Sequence, residues 1–297
     1  MQSTIDLGEA RQNAFTFPVT LAEKYQPRIE DFVGLREPKR IMLGLLKNPK
    51  PCSLLFVGEP GCGKTSMAMK FAEQLPAAHH HVRAQSADVA TLDQIWERCH
   101  YYPAKGNFHV VHIDEVDGAT EKAQLQLLSR MDGTACLKPV FGGGFERGDA
   151  PPIIYIFTCN GRSENGVMKP PPALLPRFLS RCITLYFETV EPKELAKYLG
   201  EVWKREGGEP LPQEYLLHLA KGVGVRDALM RLDSELLAPR SPKEIRQILA
   251  DANKAQKKAG DLRDKLREFD MPELRENMDD AAAVRLGRSI RAQLQLN

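Results

Sequence analysis

The segment Gly58-Glu59-Pro60-Gly61-Cys62-Gly63-Lys64-Thr65 limits what this chain can fold into more than any other stretch of its sequence. It fits the pattern GxxxxGK[ST] and stands between residues 54–57, expected as a short buried strand, and residues 66–75, expected as a helix. Glycines at this spacing let the backbone curl until successive amide N–H groups point at phosphates. Lys64 supplies a mobile positive charge, and the Thr65 hydroxyl is a ligand for Mg²⁺. Binding of a nucleoside triphosphate is the expectation. A second element, His109-Val110-Val111-His112-Ile113 followed at once by Asp114-Glu115, reads as an apolar strand ending in two carboxylates. At the carboxyl end of a strand beside the first, Asp114 is placed to hold Mg²⁺ through water and Glu115 to polarise an attacking water. Acids that end a buried strand also serve as helix N-caps. Hydrolysis is inferred from their pairing with a phosphate loop about fifty residues upstream.

With 297 residues the chain is long enough for two or three compact units around a sizeable core. Lysine plus arginine number 41 against 39 acidic residues, so any surface for nucleic acid must be local. The six cysteines, at 52, 62, 99, 136, 159 and 182, form no CxxC pair, which speaks against a disulfide framework or a zinc ribbon. A reducing, cytoplasmic setting is expected. Residues 1–20 hold no apolar run long enough for a signal peptide or a membrane span, so no membrane partner is expected.

Between residues 52 and 187, apolar runs at 54–57, 81–84, 109–113, 153–158 and 183–187 alternate with helical patterns at 64–75, 92–100 and 122–131. That alternation predicts an α/β fold, a parallel sheet covered by helices on both faces. Beyond Glu191-Pro192 the pattern is helical only, at 192–206, 212–221 and 225–237, and a break at 238–242 opens a charged helical tail. The expected organisation is a flexible arm over 1–20, a nucleotide-binding α/β domain over 21–190, a small helical domain over 191–238 and a charged helical C-terminal segment over 239–297. Residues 133–152, with Phe141-Gly142-Gly143-Gly144-Phe145, and 161–176, with Lys169-Pro170-Pro171-Pro172, are expected as unusually long loops.

Taken together, these residues resemble an AAA+ ATPase, and within that superfamily the small-subunit branch of the replication clamp loaders, over roughly residues 21–237. The implied fold is the P-loop AAA+ parallel sheet with flanking helices, followed by a small all-helical lid and a short helical tail. Glu23-Lys24-Tyr25-Gln26-Pro27 and Asp31-Phe32-Val33-Gly34 look like the segment that folds over adenine, with Gln26 where the branch usually has arginine. VVHIDEVD over residues 110–117 resembles the branch's magnesium and water-activating motif, and Asn160, in Thr158-Cys159-Asn160, resembles sensor 1. Ser180-Arg181-Cys182 is similar to the SRC motif that lends an arginine finger to the neighbouring subunit, and Arg177 is a second candidate. Arg226 resembles sensor 2. The resemblance implies ATP and Mg²⁺, with Glu115, Asn160 and Arg181 catalytic, Thr65 and Asp114 on the metal, and Val33, Gly58, Pro60, Gly61, Cys62, Gly63, Lys64, Thr65, Ser66 and Arg226 around the nucleotide.

The implied partners are identical or related AAA+ subunits in a ring or spiral, DNA, and a sliding clamp or other protein. Two features depart from the branch. Residues 239–297 are short for a helical collar, and the helix that should track DNA, near residues 87–98, has Arg98 as its basic residue; Lys122 and Arg130 on the next helix are further candidates. A non-loader regulator, from a mobile element or an antiviral system, and an ATP-gated scaffold therefore stay open as readings. His79-His80-His81 does not read as a metal site, because consecutive residues on a strand alternate in direction.

Overall fold

A computed structural model describes residues 19–25, 27–104, 106–131, 137–139, 145–147, 151–164 and 167–268. Almost all of the expected N-terminal arm, Gln26, Cys136, the glycine run 142–144 and the end of the tail lie outside the described residues. In chain order the elements are α1 (Leu21–Lys24), α2 (Arg36–Lys47), β1 (Cys52–Gly58), α3 (Lys64–Gln74), β2 (Ala77–Arg83), α4 (Val89–Cys99), β3 (Phe108–Asp114), α5 (Glu121–Met131), β4 (Leu137–Pro139), β5 (Phe145–Arg147), β6 (Ile153–Asn160), β7 (Arg162–Glu164), β8 (Val167–Lys169), α6 (Pro176–Leu179), β9 (Ile183–Phe187), α7 (Pro192–Arg205), α8 (Gln213–Ala220), α9 (Val225–Leu237) and α10 (Pro242–Glu268).

The main sheet has five strands in the order β2-β3-β6-β1-β9, all parallel. A strand covered on both faces has no polar side to show, which is why β1 and β6 are apolar runs rather than alternations. Leu54 and Phe56 of β1 pack with Met67 and Phe71 of α3 and Met42 of α2. Leu55 and Val57, pointing the other way, pack with Leu92 of α4 and Leu127 of α5. Full burial of each such side chain contributes about 1.5–3 kcal/mol, so β1 is firmly anchored between the two helix layers.

The edge strand β2 starts four residues before the expected 81–84. It is only partly covered, and its histidines break the hydrophobic signal. Asp88 caps α4 through a 2.8 Å bond from Thr91 N–H, which starts that helix three residues before the expected 92. The two expected loops are not structureless: each carries a short antiparallel hairpin, β4–β5 and β7–β8.

The helical region has its own core of Leu195, Leu199 and Trp203 from α7, Tyr215 from α8, Leu229 and Leu232 from α9, and Ile245 from α10; Leu21 of α1 joins it across the chain. The expected charged tail begins as a single helix of 27 residues, with Ser241 and Glu244 forming a capping box. Glu235 of α9 is 1% exposed, accepts a 2.9 Å bond from the Tyr215 hydroxyl and pairs with Arg240 in the connection to α10. Removing one partner of such a pair strands a charge away from water and costs about 3–5 kcal/mol. Arg240→Ala should lower unfolding stability by at least about 2 kcal/mol, discounted because Arg240 is itself partly exposed, and adding Glu235→Leu should recover most of the loss. Equal loss in the single and double variants, read by chemical denaturation, would show that the pair is not responsible.

On the other face of β2, His79 and His81 stack against each other and against His112 of β3, with ring centroids 4.5–6.0 Å apart. Burial of its inner edge and then the neighbouring rings lower the pKa of His79 to about 4. The folded value lies below the unfolded one of about 6.5, so the unfolded chain takes up the proton first. The contribution of His79 to stability is therefore fully present above about pH 6.5 and is lost as pH falls toward 4. The unfolding midpoint should drop on going from pH 7 to pH 5, and less steeply in His79→Gln.

Candidate functional site

The register of the sheet aligns the carboxyl ends of four strands. Gly58 of β1 faces Asn160 of β6 and Phe187 of β9, and Ile113 of β3 faces Phe157 of β6. A β-carbon at Gly58 would sit 2.5 Å from the Phe187 carbonyl oxygen, so the sheet closes there only around glycine. Gly63 then has φ of 97°, a left-handed turn that points the chain into α3, and a β-carbon there would sit 3.2 Å from the Phe32 ring.

Lys64, the first residue of α3, is 7% exposed. Its ammonium donates to the carbonyls of Gly58 and Glu59 at 2.9 and 2.8 Å and lies 3.4 Å from Asn160 Oδ1. A buried cation held by loop carbonyls, with α3 presenting its N-terminal amides beside it, suits a polyphosphate. The Thr65 hydroxyl donates to Asp114 Oδ1 at 3.0 Å, so the two expected Mg²⁺ ligands already touch. The Thr158 hydroxyl donates to the same oxygen and accepts a 3.1 Å bond from Glu115 N–H. That bond steadies Glu115 in a left-handed conformation, φ 56°, unusual outside glycine. Burial pushes the Asp114 carboxyl up, but donors around it outweigh burial and hold it well below the usual carboxylate range. His112 Nε2, at 3.8 Å, is beyond hydrogen-bond reach, so the donors in contact are the hydroxyls of Thr158 and Thr65. Asp114 is thus ionised and ready for a cation. Cys62, inside the loop, has its thiol pushed up by burial and stays protonated.

Two cavities meet at the loop. One, of about 120 Å³, is polar and is lined by Pro60, Gly61, Gly63, Lys64, Thr65, Ser66, Asp114, Glu115, Asn160 and Arg226. The other, of about 330 Å³, lies between Tyr25, Phe32 and Val33 on one side and Tyr198, Leu229 and Met230 of the helical region on the other, with Cys62 at its floor. Gly61, Gly63, Ser66 and Arg226 line both. An apolar slot opening onto a polar cradle has the division of chemistry that a nucleoside and its phosphates need. Arg226 N–H reaches the Gly61 carbonyl at 3.4 Å, tying α9 to the loop.

Arg181 lines neither cavity. It is exposed, and its guanidinium donates to the Arg177 carbonyl at 2.9 Å. Arg130 is engaged as well, 2.9 Å from Asp93 and 4.5 Å above the Trp96 ring. Thr158, Tyr198 and Met230 were not singled out as site residues from the sequence. Thr158 is a polar residue two positions before a buried strand's end, a usable signal; Tyr198 and Met230 reach the slot only because the helical region folds back.

Residues 54–185 match the model of the ATPase family associated with various cellular activities (AAA). Over those residues the chain is similar to AAA-family ATPases. Among curated proteins it is similar to the replication factor C small subunit of Methanocella arvoryzae, 25% identical over 223 residues that cover 71% of this chain and 62% of that protein. It is also similar to replication factor C small subunit 1 of Pyrobaculum aerophilum, 32% identical over 199 residues, 63% of this chain and 52% of that protein. These similarities agree with the branch that the motifs resembled, and the chain spans roughly half to three fifths of the curated relatives it matches. Among solved structures, the RuvB Holliday junction branch migration motor of Thermotoga maritima superposes with a TM-score of 0.56 at 18% identity, covering 76% of this chain and 72% of that one. The shared fold is the parallel P-loop sheet with flanking helices and a helical C-terminal region.

Lys64→Ala removes the cation around which the cradle closes. A fluorescent ATP analogue should lose binding by at least about a hundred-fold, matching the about 3 kcal/mol of a buried charge-assisted contact; retained tight binding would overturn the assignment of the loop.

Proposed function

We propose that this AAA-family protein is an ATP hydrolase that assembles with identical or related AAA+ subunits in a ring or spiral and couples ATP hydrolysis to action on DNA or a DNA-bound protein. The observation that carries the reading is the convergence of Lys64, Thr65, Asp114, Glu115 and Asn160 on one cavity at the carboxyl ends of β1, β3 and β6. The loop amides and Lys64 bind and orient the phosphates, and Val33 and its neighbours in the apolar slot receive the base. Thr65 and Asp114 would hold Mg²⁺, which would neutralise phosphate charge. Glu115 accepts the proton of the attacking water, Asn160 orients that water, and Arg226 reports the nucleotide's state to α9.

Arg181 serves the neighbouring subunit. Its exposure, outside both cavities of its own chain, supports a finger acting in trans, which is worth roughly three to five orders of magnitude in rate. Ile183 and Tyr186 are exposed on β9, the open edge of the sheet just beyond Arg181, where a neighbour would pack. We assign residues 21–190 to the nucleotide-binding domain, 191–238 to the lid and 239–297 to the tail. No helix among the described residues is long and apolar enough to cross a membrane, and the free cysteines at 52, 62, 99, 159 and 182 accord with a cytoplasmic setting.

The α4–α5 surface favours a second reading for the substrate. Arg130 is neutralised by Asp93, leaving few free cations there to follow phosphates. A regulator or scaffold that recruits a protein through its hairpins or tail fits that surface better than a DNA track.

Steady-state ATPase rate against protein concentration, with and without a duplex bearing a single-stranded end, separates these readings. Turnover per subunit should climb with concentration and again with DNA; a climb with concentration alone selects the protein partner. Arg181→Ala should bind ATP but hydrolyse it at least about a thousand-fold more slowly. Mixing it with a Glu115→Gln subunit should restore activity, and failure of that rescue argues against action in trans.

A further inference from the structure

Alternation along β2 separates its three histidines. His79 and His81 join the ring stack on one face, while His80 points to the other, where β3 and the end of α4 meet. There His80 Nε2 lies 3.0 Å from Nδ1 of His109, the second residue of β3, and the thiol of Cys99, the last residue of α4, completes a group whose donor atoms all fall within 4.8 Å of one another. His109 and Cys99 are 2% and 3% exposed, and His80 is half-buried at the sheet edge.

We propose that His80, Cys99 and His109 bind a thiophilic divalent transition-metal ion, with zinc the ion their chemistry matches best, at a site separate from the nucleotide. Two imidazoles and a thiolate form the donor set of a tetrahedral zinc site with one position left for water. Zinc–nitrogen bonds of about 2.0–2.1 Å at tetrahedral angles separate two ligating nitrogens by about 3.4 Å, a few tenths of an ångström from the observed spacing. A second feature points the same way. His109 Nε2 lies 2.8 Å from the Tyr101 carbonyl, which only accepts, so that nitrogen carries its proton. In the neutral ring Nδ1 then faces the cluster with its lone pair, the outer hydrogen bond by which metal-bound histidines are oriented. Burial, the His109 ring and Arg98 lower the His80 pKa, keeping it neutral and able to ligate. Burial pushes the Cys99 thiol up to about 12, so the ion must displace its proton and one proton is released per ion bound. The ion would pin the half-covered edge strand β2 to β3, whose far end carries Asp114.

The test uses the full chain, stripped with chelator and free of nucleotide, titrated with Co²⁺ as the optical stand-in for zinc. One equivalent should produce the near-ultraviolet thiolate-to-cobalt absorption and the visible bands of four-coordination, both erased by Zn²⁺. Cys99→Ser should abolish the thiolate band. Absence of that band in the parent protein, or its persistence in Cys99→Ser, overturns the proposal. Because Cys99 is buried and its variant risks misfolding, His80→Ala provides an independent check. Zn²⁺ should raise the unfolding midpoint of the parent but not of His80→Ala, whose zinc affinity should fall about ten-fold or more. An equal rise in both proteins overturns the assignment even if cobalt binds.

Discussion

Everything in this molecule that bears on chemistry hangs from β1 being paired in parallel on both sides. β6 and β9 fix its register from opposite flanks, and Gly58 lets the three strands close at their carboxyl ends without a side chain between them. A slip of one residue would exchange Leu54 and Phe56 with Leu55 and Val57 across the sheet and drive each set against helices built for the other. The same slip would take Asn160 away from Gly58 and so from Lys64. Packing thus enforces the placement of the proposed site residues, and the apolar core and the polar cradle are two ends of one constraint.

Electrostatics at that cradle is arranged in advance. Lys64 spends its hydrogen bonds on carbonyls of its own loop, Asp114 is kept ionised by two hydroxyls, and Glu115 is held by a backbone bond in a conformation it would not choose alone. Such preorganisation lowers the rearrangement needed when charge arrives. Thr158 is central to it, since one hydroxyl orients both members of the acidic pair.

Much of this could be read from the residues because the informative relations are short in sequence. The loop from Gly58 to Thr65 and the pair Asp114-Glu115 carry their chemistry within a few positions, and strands buried on both faces announce themselves as unbroken apolar runs. The parts that escaped depend on distance along the chain or on weak local signals. β2 hid its start behind histidines on a half-covered edge. The hairpins β4–β5 and β7–β8 have three-residue strands, too short for a period to register. Tyr198 and Met230 enter the apolar slot from well over a hundred residues away from the loop. Arg130, counted from sequence among candidates for a basic track, proves to be occupied by Asp93 and Trp96, a pairing that no local pattern announces.

The buried Glu235 joins three elements at once: its own helix α9, Tyr215 of α8 and Arg240 at the root of α10. Because α9 also begins at the phosphate loop, through Arg226 on Gly61, the long helix is fastened to the element that touches the loop. Its 27 residues extend for about 40 Å at the usual rise of a helix, so a tilt of about 10° at the root swings the far end by about 7 Å. That helix is in this sense a pointer. A displacement too small to notice beside the phosphates becomes, at the helix's far end, a movement of several ångströms.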